Sequence, residues 1–241
     1  MQGGEHGEEV VQAEQTIGLL SLLARDDDGL DAVAETDTAT LALRANDLFD
    51  AFEDDFGILY SQLRDLAEQL LMLRRRIPEG TYLAPGEHVP APPGGHIDLV
   101  QQLLFLKESD LRNANMDALL AIAQRMQTVR FEPGTTLWRV GAPSGFMYAL
   151  LAGRVHCTTA DGTHFVCEPG YPLGNLESQC GAPRWYEAAV ETPVTAFRYE
   201  TDAFLDTIEQ YFEMALEFLA TMASGLIARR AEMRTDTGPT V

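Results

Sequence analysis

Between Asp47 and Arg76 the apolar positions Phe49, Phe52, Phe56, Leu59, Leu63, Leu66, Leu70 and Leu73 recur at alternating steps of three and four. That period returns side chains to one face of an α-helix, so the spacing predicts a long helix with a narrow apolar seam. Leu205, Ile208, Phe212, Ala215, Leu219, Met222 and Leu226 keep the same phase and predict a second long helix from Asp202 to Arg234. Each seam packs either on its own β unit or across an interface on another helix. A helical lead-in is expected over Asp98 to Met126. Between it and the second long helix the pattern changes to short strand-like runs: Thr135 to Val140, Phe146 to Leu151, Val155 to Thr159, Thr163 to Cys167 and a final pair over Val190 to Tyr199. Gly134, Gly141, Gly153 and Gly170 punctuate them, and Asp161-Gly162 is a hairpin turn signal. Eight or so short strands with helices at the edges predict an α+β chain built on a compact antiparallel β-roll or jelly roll.

The chain also repeats itself at an offset of 156 residues. Gly18 matches Gly174, Leu20 matches Leu176, Ala32 matches Ala188 and Glu35-Thr36 matches Glu191-Thr192. Asp50, Glu53, Phe56, Leu63, Ala67, Leu70 and Arg74 then match Asp206, Glu209, Phe212, Leu219, Ala223, Leu226 and Arg230 without a gap. A run this long suggests two copies of one folding unit. The offset places the equivalents of Met116 to His156 ahead of Met1, so the first copy lacks its front half. Either the chain begins inside a longer gene, or the half-copy packs on the other lobe or on a second chain. The stretch from Ile77 to His96 carries five prolines and four glycines and reads as a linker. The expected organisation is a partial repeat over 1–76, a linker over 77–98, a complete domain over 99–235 and a tail over 236–241.

A hydrophobic fraction of 46% in 241 residues is that of a folded protein with a real core. The net charge of −20 disfavours a broad nucleic-acid interface and anionic membranes, because a polyanion is repelled. Apolar runs such as Leu99 to Leu106 are too short to span a bilayer, and Met1 to Glu9 lacks the apolar stretch of a signal peptide. Cys157, Cys167 and Cys180 form no CxxC pair and read as free thiols of a reducing cytoplasm. His6, His88, His96, His156 and His164 lack the spacing of a metal site, and no nucleophile motif or phosphate-binding loop stands out. No enzyme activity, metal or cofactor is expected.

Phe131-x-Pro133-Gly134-Thr135-x-Leu137, Gly141-x-Pro143, Tyr148-x-Leu150, Gly153-x-Val155, Asp161-Gly162 and Pro169-Gly170-x-x-x-Gly174 together resemble the cyclic-nucleotide-binding domain family, the β-roll of catabolite activator protein and of protein kinase A regulatory subunits. The resemblance covers about Leu99 to Arg234. It implies that the segment from Gly174 to Glu187 is a phosphate-binding cassette. In the family this segment captures a cyclic nucleotide, and Gly174, Asn175, Leu176, Arg184, Trp185 and Tyr186 are the ligand-site positions by that resemblance. Arg184 falls where a guanidinium pairs with the cyclic phosphate. Asn175 stands where the family has a glutamate for the ribose hydroxyl, Trp185 and Tyr186 where it has small residues, and Glu187 where it has a hydroxyl. In the first copy Asp28, within Asp26-Asp27-Asp28, matches Arg184 and reverses the charge of the site.

Two functions follow from the resemblance. One is a non-enzymatic regulatory sensor that takes cAMP, cGMP or another small anion through Arg184 and moves its C-terminal helix on binding. The other is a degenerate domain whose pocket is filled by Trp185, Tyr186 and Leu176 and whose helical seams join a protein partner or a homodimer. The direction of Trp185, Tyr186 and Glu187 discriminates them: outward leaves Arg184 available, inward closes the pocket. Relatives that bind DNA add a helix-turn-helix after the long helix, and only Ala231 to Val241 follows here.

Overall fold

The computed structural model describes residues 10–12, 15–26, 31–76, 97–109 and 111–236. Residues 77–96 of the expected linker, His6, His88, His96 and Asp28 lie outside the described residues. In chain order the elements are α1 (Leu19–Ala24), α2 (Ala45–Asp54), α3 (Phe56–Arg76), α4 (Leu99–Lys107), α5 (Met116–Arg125), β1 (Gln127–Phe131), β2 (Thr136–Trp138), β3 (Phe146–Ala152), β4 (Val155–Thr159), β5 (His164–Cys167), β6 (Pro172–Leu173), α6 (Asn175–Cys180), β7 (Tyr186–Val190), β8 (Val194–Glu200), α7 (Thr201–Gln210) and α8 (Phe212–Asp236).

The strands form two antiparallel four-stranded sheets, ordered β1-β8-β3-β6 and β2-β7-β4-β5. Inward-facing residues of both sheets meet in one core: Trp138, Tyr148, Leu150, Val155, Cys157, Phe165, Cys167, Leu173, Tyr186, Ala188 and Val190 among them. This is the β-roll expected from the glycine-punctuated strands, and the fold is α+β with the roll flanked by helices. The Asp161-Gly162 turn joins β4 to β5 as predicted, with Gly162 at φ 86°. Two strands escaped the sequence reading. β1 follows directly on α5 and alternates weakly, and β6 has only two residues. The final strand pair starts at Tyr186 rather than Val190, since Tyr186 and Ala188 already point inward.

Neither long helix is continuous. The first breaks at Asp55, held at φ −139°, where the side-chain Oδ1 accepts from the Gly57 N–H at 2.8 Å and caps the helix that follows. The second breaks at Tyr211, at φ −118°, and the axes of α7 and α8 bend by 117°. The apolar period runs through both breaks, so the spacing alone does not mark them. The lead-in likewise divides into α4 and α5, with the Asn115 side chain accepting from the Ala118 N–H at 2.8 Å at the start of α5. No single helix among the described residues is long and apolar enough to cross a membrane.

The seams bury against other helices. Leu59, Leu63, Leu66, Ala67 and Leu70 of α3 share one core with Ala215, Leu219, Met222, Ala223 and Leu226 of α8 and with Ile122, Phe197 and Phe204. Helix α3 packs on α6 and α8, and α1 packs on α8. Arg230 Nη2 of α8 donates to Gln69 Oε1 of α3 at 2.8 Å, and Arg25 pairs with Glu217 at 2.6 Å. Shifting the bounds of α1, α2 and α3 by 156 gives 175–180, 201–210 and 212–232, which are the bounds of α6 and α7 and the start and body of α8. Gly18 at φ 78° likewise corresponds to Gly174 at φ 77°. The same offset turns the α1–α8 contact into the α6–α3 contact.

Candidate functional site: the cassette arginine and the roll interior

The cassette begins where β6 ends. Gly174 takes the left-handed backbone that turns the strand into α6, and a Cβ there would lie 2.2 Å from Arg184 Nη1, so both conformation and space require glycine. Helix α6 is buried along its length, and Gly181 closes it at φ 69°. The chain then returns through Arg184, whose backbone N–H donates to the Ala142 carbonyl at 2.9 Å and whose carbonyl accepts from Gly141 at 2.7 Å. These bonds hold the arginine against the β2–β3 turn and aim its side chain under α6.

There the guanidinium is only 1% exposed. Its Nη1 donates to the Gly174 carbonyl at 2.6 Å and to Ser178 Oγ at 3.4 Å, and its Nη2 donates to the Phe146 carbonyl. Its central carbon stands 4.2 Å from the Trp138 ring centroid and 5.1 Å from that of Phe146. A cation on an aromatic face gains from the ring quadrupole, and more so when both are out of water. Burial pushes the Arg184 pKa down and the nearby Glu177 carboxylate opposes this. An arginine starts so far above neutrality that it remains a cation. Its forked donors thus tie the start of α6 to the start of β3.

Aromatic side chains fill the space in front of it. Trp138 and Tyr148 stack at 5.9 Å with planes 5° apart, and Tyr186 meets Trp138 edge-on at 5.7 Å and Phe165 at 5.1 Å. Trp185 stacks on Phe165 at 5.6 Å. Tyr186 points fully into the roll, Trp185 is half-buried between the roll and the helical core, and Glu187 lies half-buried on β7 in register with Thr158. Asn175 and Leu176 are buried in α6, and Leu176 packs into the helical core rather than the roll.

Several residues of the site were not singled out from sequence. Trp138, Phe146, Tyr148 and Phe165 occupy strand positions whose alternation marks them as partly or wholly inward, and that signal was available. Glu177 was not legible: it sits in the helix of the cassette, buried, with Oε1 lacking a hydrogen-bond partner among the described residues. Burial pushes its carboxyl pKa up, against the pull of the Arg184 and Arg74 guanidiniums. Arg74 arrives from α3, buried, 5.8 Å from the Phe165 ring. Cys157 and Cys167 face each other inside the roll with sulfurs 3.8 Å apart, and burial pushes the Cys157 thiol up. On the outer face His156 Nε2 lies 3.2 Å from His164 Nδ1, and no group of three or more metal-ligating side chains occurs among the described residues.

Residues 128–211 match the model of the cyclic nucleotide-binding domain family. This segment spans the roll, the cassette and α7, and it meets the resemblance seen in the sequence motifs. No curated protein sequence matches the chain significantly. Among solved structures, the N-terminal domain of a transcriptional regulator from Streptomyces coelicolor A3(2) is 21% identical, covering 57% of this chain and 99% of that one, with a TM-score of 0.45. The regulatory domain of Toxoplasma gondii PKA with cAMP is 23% identical, covering 47% of this chain and 45% of that one, with a TM-score of 0.43. A mutant of a cAMP-binding acyltransferase from Mycobacterium smegmatis is 28% identical, covering 47% of this chain and 37% of that one, with a TM-score of 0.38. The chain therefore spans less than half the length of the latter two.

Proposed function

We propose that this is a non-enzymatic regulatory protein in which the cyclic-nucleotide-binding fold serves as an interaction module, with the cassette pinned from within rather than by a nucleotide. The observation that carries the reading is the set of bonds made by Arg184. Its two terminal nitrogens donate to the Gly174 and Phe146 carbonyls and its face lies on Trp138. A cyclic phosphate would have to displace those bonds and open the packing of Trp138, Tyr148 and Tyr186. Asn175 in place of a carboxylate removes the charged acceptor for a ribose hydroxyl. Residues 1–76 are, on this reading, a partial copy of the same domain, docked through α1 and α3.

The sensor alternative has one observation in its favour: Arg184 Nε, Trp138 Nε1 and Glu177 Oε1 are buried within this site without hydrogen-bond partners among the described residues. A ligand with matching polar groups would satisfy them. Thermal unfolding with and without millimolar cAMP or cGMP separates the readings. A ligand that binds only the folded state raises the midpoint in proportion to the logarithm of its concentration over Kd. The interaction-module reading expects no shift with either nucleotide, and a concentration-dependent rise would replace it with the sensor.

A further inference from the structure

In the roll, β7 lies between β2 and β4, and β8 lies between β1 and β3. Shifted back by 156 residues, β7 and β8 fall on 30–34 and 38–44. The described part of that stretch, residues 31–44, carries neither helix nor strand, and every residue in it is exposed. Val33 is 87% exposed, Leu43 68% and Leu41 completely. Leu41 and Leu43 stand at the positions of Phe197 and Tyr199, which are buried in the core. Helices α1, α2 and α3 are formed on either side, so the frame of a half-roll is present while its strand positions face solvent.

Two further observations describe what fits there. A cavity of about 310 Å³ is lined by Ser21, Leu22, Arg25, Asp26, Phe49 and Leu216. Ser21, Leu22 and Asp26 correspond to Glu177, Ser178 and Ala182. In the complete roll those three receive the segment leading into β3: Ser144 Oγ lies within hydrogen-bond distance of the Glu177 and Ala182 carbonyls, and Ser178 Oγ donates to the Phe146 carbonyl. The cavity therefore lies where the corresponding segment of another front half would seat. The second observation concerns Glu191 and Thr192, which hold Arg154 at the start of the β3–β4 turn. Arg154 Nη2 pairs with Glu191 at 3.1 Å and the Arg154 N–H donates to Thr192 Oγ1 at 2.9 Å. Glu35 and Thr36 repeat that dipeptide at the same offset.

We propose that residues 31–44, together with α1 and this cavity, form a receiving face for the front half of a β-roll. The occupant is a short helix followed by short antiparallel strands, of the class of residues 116–156, with an arginine placed like Arg154 to meet Glu35 and Thr36. It supplies both ladder partners of a strand in the position of β8 and the β2-side partner of a strand in the position of β7, and it covers Val33, Leu41 and Leu43. A second copy of this chain is not the occupant, because its β1 to β4 are already paired with its own β7 and β8. The inference rests on the interaction-module reading and names the chemistry of one partner.

The test joins a copy of residues 116–156 ahead of Met1 of the full chain, so that the offset of 156 runs unbroken, and follows amide hydrogen exchange. In the unfused protein the amides of 31–44 exchange at near-unstructured rates. In the fusion they slow by roughly 100-fold or more, as strand amides do when a ladder closes over them. Leu41→Asp with Leu43→Asp abolishes the slowing in the fusion while leaving β7 and β8 protected, and both side chains are exposed in the unfused chain, so its folding is unaffected. Amides of 31–44 that stay fast in the fusion, or slow equally with a scrambled insert, overturn the proposal. Protection in the unfused chain that grows with protein concentration also overturns it, by assigning the face to a second copy. Nucleotide binding in solution would defeat the interaction-module reading without altering the exchange rates of 31–44, so the two failures are distinguishable.

Discussion

The guanidinium of Arg184 rests 4.2 Å from the Trp138 ring centroid while its Nη1 holds the Gly174 carbonyl at 2.6 Å. One side chain thus links the β2 strand, the start of β3 and the start of the cassette helix. Arg184→Ala removes a charged donor from the Gly174 and Phe146 carbonyls, which keep Ser178 Oγ as a neighbour, and removes a packed cation. A hydrogen bond to a charged group contributes about 1.5–3 kcal/mol, so a loss of about 2–4 kcal/mol is expected from urea unfolding. Arg184→Lys restores little, because an ammonium does not span two carbonyls as a planar fork does. An unchanged midpoint for Arg184→Ala would show that the bonds contribute nothing.

Gly174 and Arg184 are coupled by space. A methyl at residue 174 would stand 2.2 Å from Arg184 Nη1 and would sit on a backbone at φ +77°. Gly174→Ala is expected to destabilise by at least about 1 kcal/mol from its backbone conformation, and more from the clash. In a double-mutant cycle with Arg184→Ala the costs fall short of additive, since removing the guanidinium removes the clash. Strict additivity would separate the two residues.

Glu177 makes stability depend on pH. Burial raises its folded-state pKa above the ordinary glutamate value of 4.5. The folded state therefore binds the proton more tightly than the unfolded state, and the contribution is fully present below about pH 4.5 and declines as pH rises through the folded value. Glu177→Gln keeps the shape without the charge, so it flattens this slope and raises the unfolding midpoint at pH 7. Chemical denaturation of both proteins across this window gives the comparison. A Gln variant less stable at pH 7 would mean that the Arg184 and Arg74 charges outweigh the desolvation.

The three thiols differ in access. Cys157 and Cys167 are wholly enclosed in the roll, and Cys180 lies at the end of α6 in the helical core, slightly less covered. Burial disfavours the reactive thiolate at Cys157 and Cys180. Mass spectrometry after timed labelling with a maleimide should find Cys180 modified first and Cys157 and Cys167 modified only at the rate of global unfolding. Fast labelling of Cys157 would indicate that the roll opens locally.

The architecture was legible in the sequence where one residue type answers one physical need. Gly134, Gly141, Gly153 and Gly162 mark left-handed turns, and the 3–4 spacing of Phe56 to Leu70 marks the buried face of α3. The breaks at Asp55 and Tyr211 were not legible, because the apolar period crosses them unchanged. The resemblance singled out Arg184, yet the partners of its side chain were not legible. The Gly174 and Phe146 carbonyls are backbone groups with no sequence signature, and Trp138 is 46 positions away in the chain. Glu177 and Arg74 meet only because α3 docks on α6, a contact between distant segments that local pattern cannot report.

Isothermal titration of the full chain with cAMP and cGMP, beside Arg184→Ala, measures the central claim directly. The pinned cassette predicts no saturable heat for either nucleotide up to about millimolar, a binding free energy weaker than ~4 kcal/mol. Saturable binding to the wild-type chain that disappears in Arg184→Ala would contradict it, and would mean that the arginine leaves the Gly174 and Phe146 carbonyls to take a phosphate.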